Sequence, residues 1–169
     1  MSVLSQSDIQ RLIEKEPPLL AGYVDLEAQL QPNGFDITLR EVALMQSAGT
    51  LGVNNANRVL PPVSTLVFDE PGFIHLAPGN YLVTYNEIVN LPSDVMALGR
   101  PRSSLLRCGV AVHNAVWDAG YHGRSQSLLV VYNSQGFQLE RNARIVQLVF
   151  LQLTSHTLGY QGAYQGENI

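Results

Sequence analysis

Cysteine is almost absent from this 169-residue sequence, since Cys108 is the only one. No intrachain disulfide can form, and a zinc site built from several cysteines is excluded. Charged residues are also scarce, at 14% of the chain, whereas apolar residues make up 46%. This balance argues against disorder, and we expect an oligomer to cover part of the surface.

Basic residues are fewer than acidic ones. The chain has ten Lys plus Arg against fourteen Asp plus Glu, which gives a formal net charge of −4. A nucleic-acid partner is not expected, because no basic stripe is available to displace counterions from a phosphate backbone. A single nucleotide, which needs only a few arginines, remains possible.

Long apolar runs are missing as well. No segment approaches membrane-spanning length, and the N-terminal stretch MSVLSQSDIQRLIEKE lacks the basic and apolar regions of a signal peptide. We therefore expect a cytoplasmic protein with no membrane partner.

Several motifs of nucleotide and hydrolase chemistry do not occur. The sequence contains neither GxxxxGK[ST] nor GxGxxG, and it has no GxSxG nucleophile elbow. The zinc-deaminase pattern HxE…PCxxC is also missing, so any deaminase chemistry would have to proceed without zinc.

The N-terminal region, residues 1–18, predicts one short helix. Ser5 and Asp8 have the spacing of a capping box, and Ile9 and Ile13 fall on one helical face. Two prolines, the first at Pro17, predict its end.

The remainder of the chain changes character. Short apolar segments alternate with Gly, Pro, Asn and Ser, which predicts an all-β fold of the barrel or sandwich type. The candidate strands are residues 35–44, 64–69, 72–76, 81–86, 95–100, 109–114, 127–133, 137–142 and 144–153. With no internal repeat or linker, residues 1–169 are expected to form a single domain, with residues 159–169 as a flexible C-terminal arm.

The stretch GRPRSSLLRCG concentrates cationic and hydroxyl side chains. Arg100, Arg102 and Arg107 surround Ser103 and Ser104. If RSSLLR is a helical turn, its N-terminal N–H groups and these side chains could bind a polyphosphate. The alternative is a capped surface helix with ordinary arginines.

The stretch AVHNAVWDAGYHG has an acid and an aromatic residue at one turn. Asp118 precedes Tyr121 by three residues, and Gly120 and Gly123 flank the tyrosine. Asp118 could cap its own backbone in a hairpin, or it could hold and deprotonate a water molecule.

Two further segments have weaker signals. Asp36 lies within a strand pattern in PNGFDITL, where its carboxylate is either on a solvent-exposed strand face, which is the favoured prediction, or held by a partner. Arg144 and Gln147 interrupt the apolar strand ARIVQLVF and are consistent with an outward-facing side of that strand.

Taken in order, these segments resemble the dUTPase and dCTP deaminase superfamily. The resemblance rests on QPNGFDITL, on the stretch from APGNYLVTYN through GRPRSSLLRCGVAVH, and on WDAGYHG, ARIVQL and GAYQG, and it spans most of the chain. It is strongest to archaeal-type, dCTP deaminase-like dUTPases. It implies a distorted β-barrel of jelly-roll type, a homotrimer with active sites between subunits, and Mg²⁺ held mainly by the triphosphate.

The resemblance also implies roles for individual residues. Asp118 would position the attacking water, with Ser103 as a second catalytic residue. Tyr121 would pack under the deoxyribose and exclude a 2′-hydroxyl group, and backbone near His113 and Asn114 would recognise the uracil edge. The implied substrate-binding residues are Arg102, Ser103, Ser104, Arg107, His113, Asn114, Asp118, Tyr121, Gln147, Tyr164 and Gln165.

The superfamily includes two chemistries, and the sequence favours one of them. Its deaminases use a glutamate on the strand after the WDAGYHG-like motif, where this chain has Val130 or Leu128, depending on the alignment. Hydrolysis of dUTP to dUMP and pyrophosphate is therefore the favoured function. A dCTP deaminase, a bifunctional enzyme and a non-catalytic nucleotide-binding barrel are the alternatives.

Overall fold

A computed structural model describes residues 2–169, which form fifteen β-strands, three α-helices and one 3₁₀ turn. The strands are β1 (Ser2–Val3), β2 (Leu20–Ala21), β3 (Leu30–Gln31), β4 (Gly34–Met45), β5 (Val63–Thr65), β6 (Phe73–Leu76), β7 (Gly79–Tyr85), β8 (Ile88–Asn90), β9 (Val95–Pro101), β10 (Val110–His113), β11 (Val116–Trp117), β12 (His122–Gly123), β13 (Gln126–Val131), β14 (Phe137–Glu140) and β15 (Arg144–Gln152). The helices are α1 (Gln6–Ile13), α2 (Leu26–Gln29) and α3 (Ser103–Arg107), and the 3₁₀ turn is Asn55–Asn57.

One antiparallel sheet dominates the structure. Its strand order is β10-β13-β7-β4-β15-β9-β11, with β1, β3 and β5 paired beside this path. Strand β4 pairs with β15 in its first half and with β7 in its second, and its register with β7 shifts between Leu39 and Glu41. Such an irregularity bends a strand and increases its twist. The prediction of a distorted, mostly β-sheet fold is confirmed.

The core includes alternating residues of the central strands β4 and β15. Phe35, Ile37 and Leu39 alternate along β4 and are fully buried, as are Leu148 and Phe150 of β15. Alternating apolar residues of facing strands thus provide the main apolar contact of the fold, as the sequence pattern predicted.

The prediction that Asp36 lies on a solvent-exposed strand face is wrong. Asp36 is only 2% exposed. Gln29, at the end of α2, covers this face of β4, and its Nε2 atom donates to the Asp36 carbonyl oxygen over 2.8 Å and to Glu87 Oε1 over 2.6 Å. The segment that contains Gln29 passes over this face of the sheet, and the Asp36 position is therefore buried.

The predicted N-terminal helix is present but shorter than residues 1–18. Ser5 and Asp8 form the predicted capping box. Ile9 and Ile13 are buried, and the helix ends at Ile13, before the prolines. None of the helices in residues 2–169 is long and apolar enough to cross a lipid bilayer.

The C-terminal arm, predicted to be flexible, is packed against its own chain. Tyr160 N donates to the Ala119 carbonyl over 2.7 Å, and Gly166 N donates to the His122 carbonyl over 2.7 Å. The arm therefore runs alongside the turn that connects β11 and β12.

Candidate active site

The C-terminal arm passes close to the backbone of the turn between β11 and β12. Gly120 has a φ of +82°, and a Cβ added there would lie 2.6 Å from Gly159 Cα. Tyr121 N donates to the Asp118 carbonyl over 3.1 Å, which closes the turn. A glycine is required here both by its backbone conformation and by the arm that passes over it.

The side chain of Asp118 is exposed and takes no part in this turn. Within residues 2–169, no hydrogen bond or ion pair involves its carboxylate, so the alternative in which Asp118 caps its own backbone is not observed. Asp118 lines a cleft, so its exposed carboxylate is available to a ligand or a water molecule.

Tyr121, three residues after Asp118, is the buried aromatic residue of the same turn. The side chain is 6% exposed, and its hydroxyl donates to Glu167 Oε1 over 2.8 Å. Its ring makes an edge contact with Tyr160 at a centroid separation of 5.8 Å. Burial, followed by the adjacent Glu167 carboxylate, raises the pKa of Tyr121 above its ordinary value, so the hydroxyl remains a donor.

Asp118 and Tyr121 line one cleft of about 790 Å³, a size suited to a small-molecule ligand. Its walls come from the acid-bearing turn and the strands beside it, from the segment that connects β4 and β5, and from the C-terminal arm. The lining residues are Met45, Leu60, Pro61, Val63, Leu82, Ala115, Val116, Trp117, Asp118, Tyr121, Ser125, Gln126, Tyr160, Tyr164, Glu167 and Asn168.

The predicted phosphate-binding residues lie elsewhere in the same chain. Arg102 is the N-cap residue of α3, and with Ser104 it lines a separate cleft of about 420 Å³. Nη1 of Arg102 lies 2.8 Å from Asp36 Oδ2. The structure thus confirms the predicted helical turn and places it in a different cleft from Asp118 within one chain.

Three other predicted residues are Ser103 and Arg107 on α3 and Gln147 on β15. Arg107 Nη1 donates to the Ser103 carbonyl over 3.2 Å, so the guanidinium braces α3. Gln147 is partly buried on β15, where a Cβ added at Gly34 would lie 3.1 Å from its Cγ and Nε2 atoms. None of these three side chains lines either cleft.

His113 is the last residue of β10 and Asn114 follows it, and both lie outside the cleft lining. The His113 side chain is exposed. The Asn114 amide oxygen accepts from Ser127 Oγ over 2.7 Å and from Tyr85 Oη over 3.3 Å. These bonds hold the Asn114 amide oxygen inside the fold, and the next two residues, Ala115 and Val116, line the cleft.

The two predicted arm residues have different positions. Tyr164 lines the cleft, and the Arg58 guanidinium carbon lies 5.3 Å from its ring centroid. Gln165 instead anchors the arm, because its side chain donates to the Gly120 carbonyl and accepts from the His122 N–H.

The strand after the turn has apolar side chains where a deaminase glutamate would be expected. Leu128 pairs across the sheet with Leu82, which lines the cleft, and Val130 is the next residue on the same strand face. The acidic residues in the cleft lining are Asp118 and Glu167.

Sequence reasoning missed two acids, Glu87 and Glu167, that the fold brings against buried polar side chains. The Thr38 N–H and hydroxyl donate to Glu87, and burial raises its pKa above the ordinary value. The partners of these carboxylates are distant in sequence, so no local pattern could have identified them.

Comparison with known protein families identifies the family of this chain. The chain has a mostly antiparallel β-fold, and residues 3–153 match the sequence profile of a family described as dCTP deaminase-like. The chain belongs to this dCTP deaminase-like family.

Full-length relatives extend that finding. A Methanosarcina mazei protein described as a probable deoxyuridine 5′-triphosphate nucleotidohydrolase is 49% identical over 169 residues, which cover 99% of each chain. A protein of the same description from Archaeoglobus fulgidus is 51% identical over 100% of this chain and 99% of its own. The superfamily predicted from the sequence motifs is confirmed.

A solved structure has the same fold. It is a 2′-deoxycytidine 5′-triphosphate deaminase from Agrobacterium tumefaciens, with a TM-score of 0.66 and 25% sequence identity. The match covers 88% of this chain and 48% of the deaminase, so this chain spans about half the length of that protein.

Proposed function

We propose that this protein is a dUTP diphosphatase, which hydrolyses dUTP to dUMP and pyrophosphate. The observation that carries the proposal is the Asp118 carboxylate, which is exposed in a nucleotide-sized cleft beside the buried ring of Tyr121. Full-length relatives described as probable deoxyuridine 5′-triphosphate nucleotidohydrolases support it.

In this reaction Asp118 accepts a proton from a bound water, whose oxygen attacks the α-phosphorus. The bond from that phosphorus to the bridging α–β oxygen breaks, and pyrophosphate leaves. The ring of Tyr121 packs under the deoxyribose and leaves no room for a 2′-hydroxyl group.

Phosphate binding requires a second chain in this proposal. Arg102, Ser103 and Ser104 lie at the N-terminal end of α3, outside the cleft of Asp118. We propose a homotrimer in which these residues of one subunit face the Asp118 cleft of a neighbour, with Ser103 next to the reacting phosphate. Exposed apolar side chains such as Leu51, Val59 and Val67 are available for burial in that assembly.

Mg²⁺ would be held mainly by the substrate. Within residues 2–169, no group of three acidic, histidine or cysteine side chains could hold a metal ion. We expect the ion to bind mainly through triphosphate oxygens and to neutralise charge on the phosphates.

One assay tests the proposal and its alternative together. Purified protein is given dUTP or dCTP with Mg²⁺, and pyrophosphate and ammonia are measured. We expect pyrophosphate from dUTP and no ammonia from dCTP, because Leu128 and Val130 cannot shuttle protons. Ammonia from dCTP would establish the deaminase or bifunctional alternative, and binding of dUTP without turnover would establish a non-catalytic barrel.

A variant tests the assigned base. Asp118→Asn should lower kcat for dUTP by about 10²- to 10⁴-fold, the usual contribution of general base catalysis, while equilibrium binding of dUTP persists. Glu70→Gln, an exposed acid outside the cleft lining, is the matched control. Unchanged turnover by Asp118→Asn would refute the role of this residue.

A further inference from the structure

Glu167, near the end of the arm, contacts Tyr121 in a way that none of the sequence motifs explains. Its Oε1 atom accepts a hydrogen bond from the Tyr121 hydroxyl over 2.8 Å, and both residues line the Asp118 cleft. The two residues are 46 positions apart, so the contact exists only because the arm folds back over the turn.

The arm does not need the Glu167 carboxyl group in order to dock. Its neighbouring contacts are made by other atoms: Arg124 N donates to the Glu167 backbone carbonyl over 2.9 Å, and Asn168 Nδ2 donates to the Arg124 carbonyl over 2.9 Å. Gln165 makes two more bonds to the turn. The position of Glu167 on the arm is thus determined by its neighbours, and its carboxyl group has a separate contact with Tyr121.

The absence of a side chain at Gly123 provides the space that the contact between Tyr121 and Glu167 needs. A Cβ added there would lie 2.7 Å from Tyr121 Oη and 3.3 Å from Glu167 Cγ. The backbone of Gly123 does not have a positive φ, so its conformation does not require glycine. The glycine is explained by the volume that the tyrosine hydroxyl and the Glu167 side chain occupy.

Other residues of the cleft wall near Tyr121 also have fixed contacts. Trp117 Nε1 donates to Ser125 Oγ over 2.9 Å, and both residues line the same cleft as Tyr121. Tyr160 contacts the edge of the Tyr121 ring. With its ring packed and its hydroxyl bonded to the arm, Tyr121 has a defined tilt toward the cleft.

We propose that Glu167 is a positioning residue for sugar selection, which fixes the tilt of Tyr121 through its hydroxyl and so sets the preference for 2′-deoxyribose over ribose. This inference rests on the proposed function, in which the Tyr121 ring packs under the sugar. If the Tyr121 hydroxyl loses Glu167 as its acceptor, the Tyr121 ring can turn away from the sugar. That movement makes room for a 2′-hydroxyl group. The arm then contributes to specificity by holding the residue that touches the substrate.

The test is the ratio of kcat/KM for dUTP to kcat/KM for UTP. Glu167→Ala and Tyr121→Phe should each lower this ratio roughly tenfold, the effect expected from one hydrogen bond to a charged acceptor. The double variant should be no worse than either single one, because both remove the same bond. Glu167→Gln, whose amide oxygen can still accept, should keep the ratio within about twofold of the wild-type value.

A neighbouring variant separates this contact from general loosening of the arm. Asn168→Ala removes the adjacent side-chain bond to the turn and leaves Glu167 in place, so it should keep the wild-type ratio whatever its effect on turnover. Thermal unfolding of every variant identifies any that fails to fold, and Tyr121→Phe with Glu167→Gln still tests the contact if Glu167→Ala does not fold.

The outcomes are distinguishable. An unchanged ratio in both single variants, additive losses in the double variant, or an equal loss in Asn168→Ala would overturn the inference and leave the hydrolase proposal intact. Failure of the wild-type protein to cleave dUTP would overturn the proposed function itself.

Discussion

Asp36 Oδ2 lies 2.8 Å from Arg102 Nη1 and 3.4 Å from Arg144 Nη1, so one buried carboxylate holds two partly exposed arginines. Burial raises the pKa of Asp36, and the two guanidinium groups oppose that effect. The ion pair orients Arg102 at the N-terminal end of α3, where the proposed function requires a phosphate ligand.

Asp36→Asn should therefore weaken substrate binding more than it weakens catalysis. We expect a higher KM for dUTP with a smaller change in kcat, because Arg102 loses its partner while Asp118 is untouched. Folding stability should change by less than about 1 kcal/mol, because the cost of burying the Asp36 charge opposes its attraction to two partly exposed arginines. Steady-state kinetics and urea unfolding measure the two effects. An unchanged KM in a folded variant would contradict this role of Asp36.

The proposed site between subunits makes a prediction about mixed oligomers. Asp118→Asn and Arg102→Ala should each be inactive alone, but co-expressed subunits should regain activity, because a site between them can take Asp118 from one chain and Arg102 from the other. Random assembly into trimers gives about one quarter of the sites both intact residues. Purification by two different affinity tags isolates the mixed species. If they are no more active than the separate variants, Asp118 and Arg102 do not act in one site between neighbouring subunits.

Features determined by local spacing could be predicted from the sequence. The capping box of Ser5 and Asp8 is present, and β4, β7, β13 and β15 match alternating or continuous apolar segments. The segment 64–69 was overpredicted, since β5 ends at Thr65, and two-residue strands such as β2 and β12 are too short to produce a pattern.

Features that depend on distant chain segments could not be predicted. The turn that contains Asp118 and Tyr121 was identifiable because its residues are adjacent in sequence. The burial of Asp36 depends on Gln29 and Arg102, and the contact of Tyr121 depends on Glu167 in the arm. A sequence pattern reports which side of a strand a residue occupies, but it does not report which segment later covers that side.

Gly123→Ala tests the space around the tyrosine hydroxyl. The new Cβ would lie 2.7 Å from Tyr121 Oη, so the ring or the arm has to move. We expect a loss of stability of about 1–3 kcal/mol, as for other overpacked sites, together with a lower kcat/KM for dUTP. Thermal unfolding and kinetics measure both. Wild-type kinetics in this variant would mean that the position of the Tyr121 ring is not critical for turnover.

Glu87 provides a prediction about pH because it is fully buried and its ionisation is unfavourable. It follows β7 and accepts bonds from Gln29 and from both the N–H and the hydroxyl of Thr38. Burial is the largest influence and raises its pKa above the ordinary value of 4.5, although these bonds oppose it. The folded protein therefore keeps this proton to a higher pH than the unfolded chain does.

The sign of the pH effect follows from linkage. Stability falls with rising pH wherever the folded state binds more protons than the unfolded state. The contribution of protonated Glu87 should be present below pH 4.5 and should be lost as the pH rises from there through the raised pKa of the folded state. Because Asp36 and Glu167 also have raised pKa values, the informative quantity is the difference between wild type and Glu87→Gln.

Urea unfolding between pH 4 and pH 8 measures that difference. Gln cannot ionise, so the free energy of unfolding of wild type minus that of Glu87→Gln should decrease as the pH rises above about 4.5. A constant offset between the two proteins is expected in addition, because the amide of Gln would oppose the Thr38 N–H. Glu70→Gln, at an exposed position, should track the wild type at every pH. If the difference for Glu87→Gln stays flat or grows with pH, burial does not control the ionisation of Glu87, and its bonds to Gln29 and Thr38 outweigh the cost of removing the carboxylate from water.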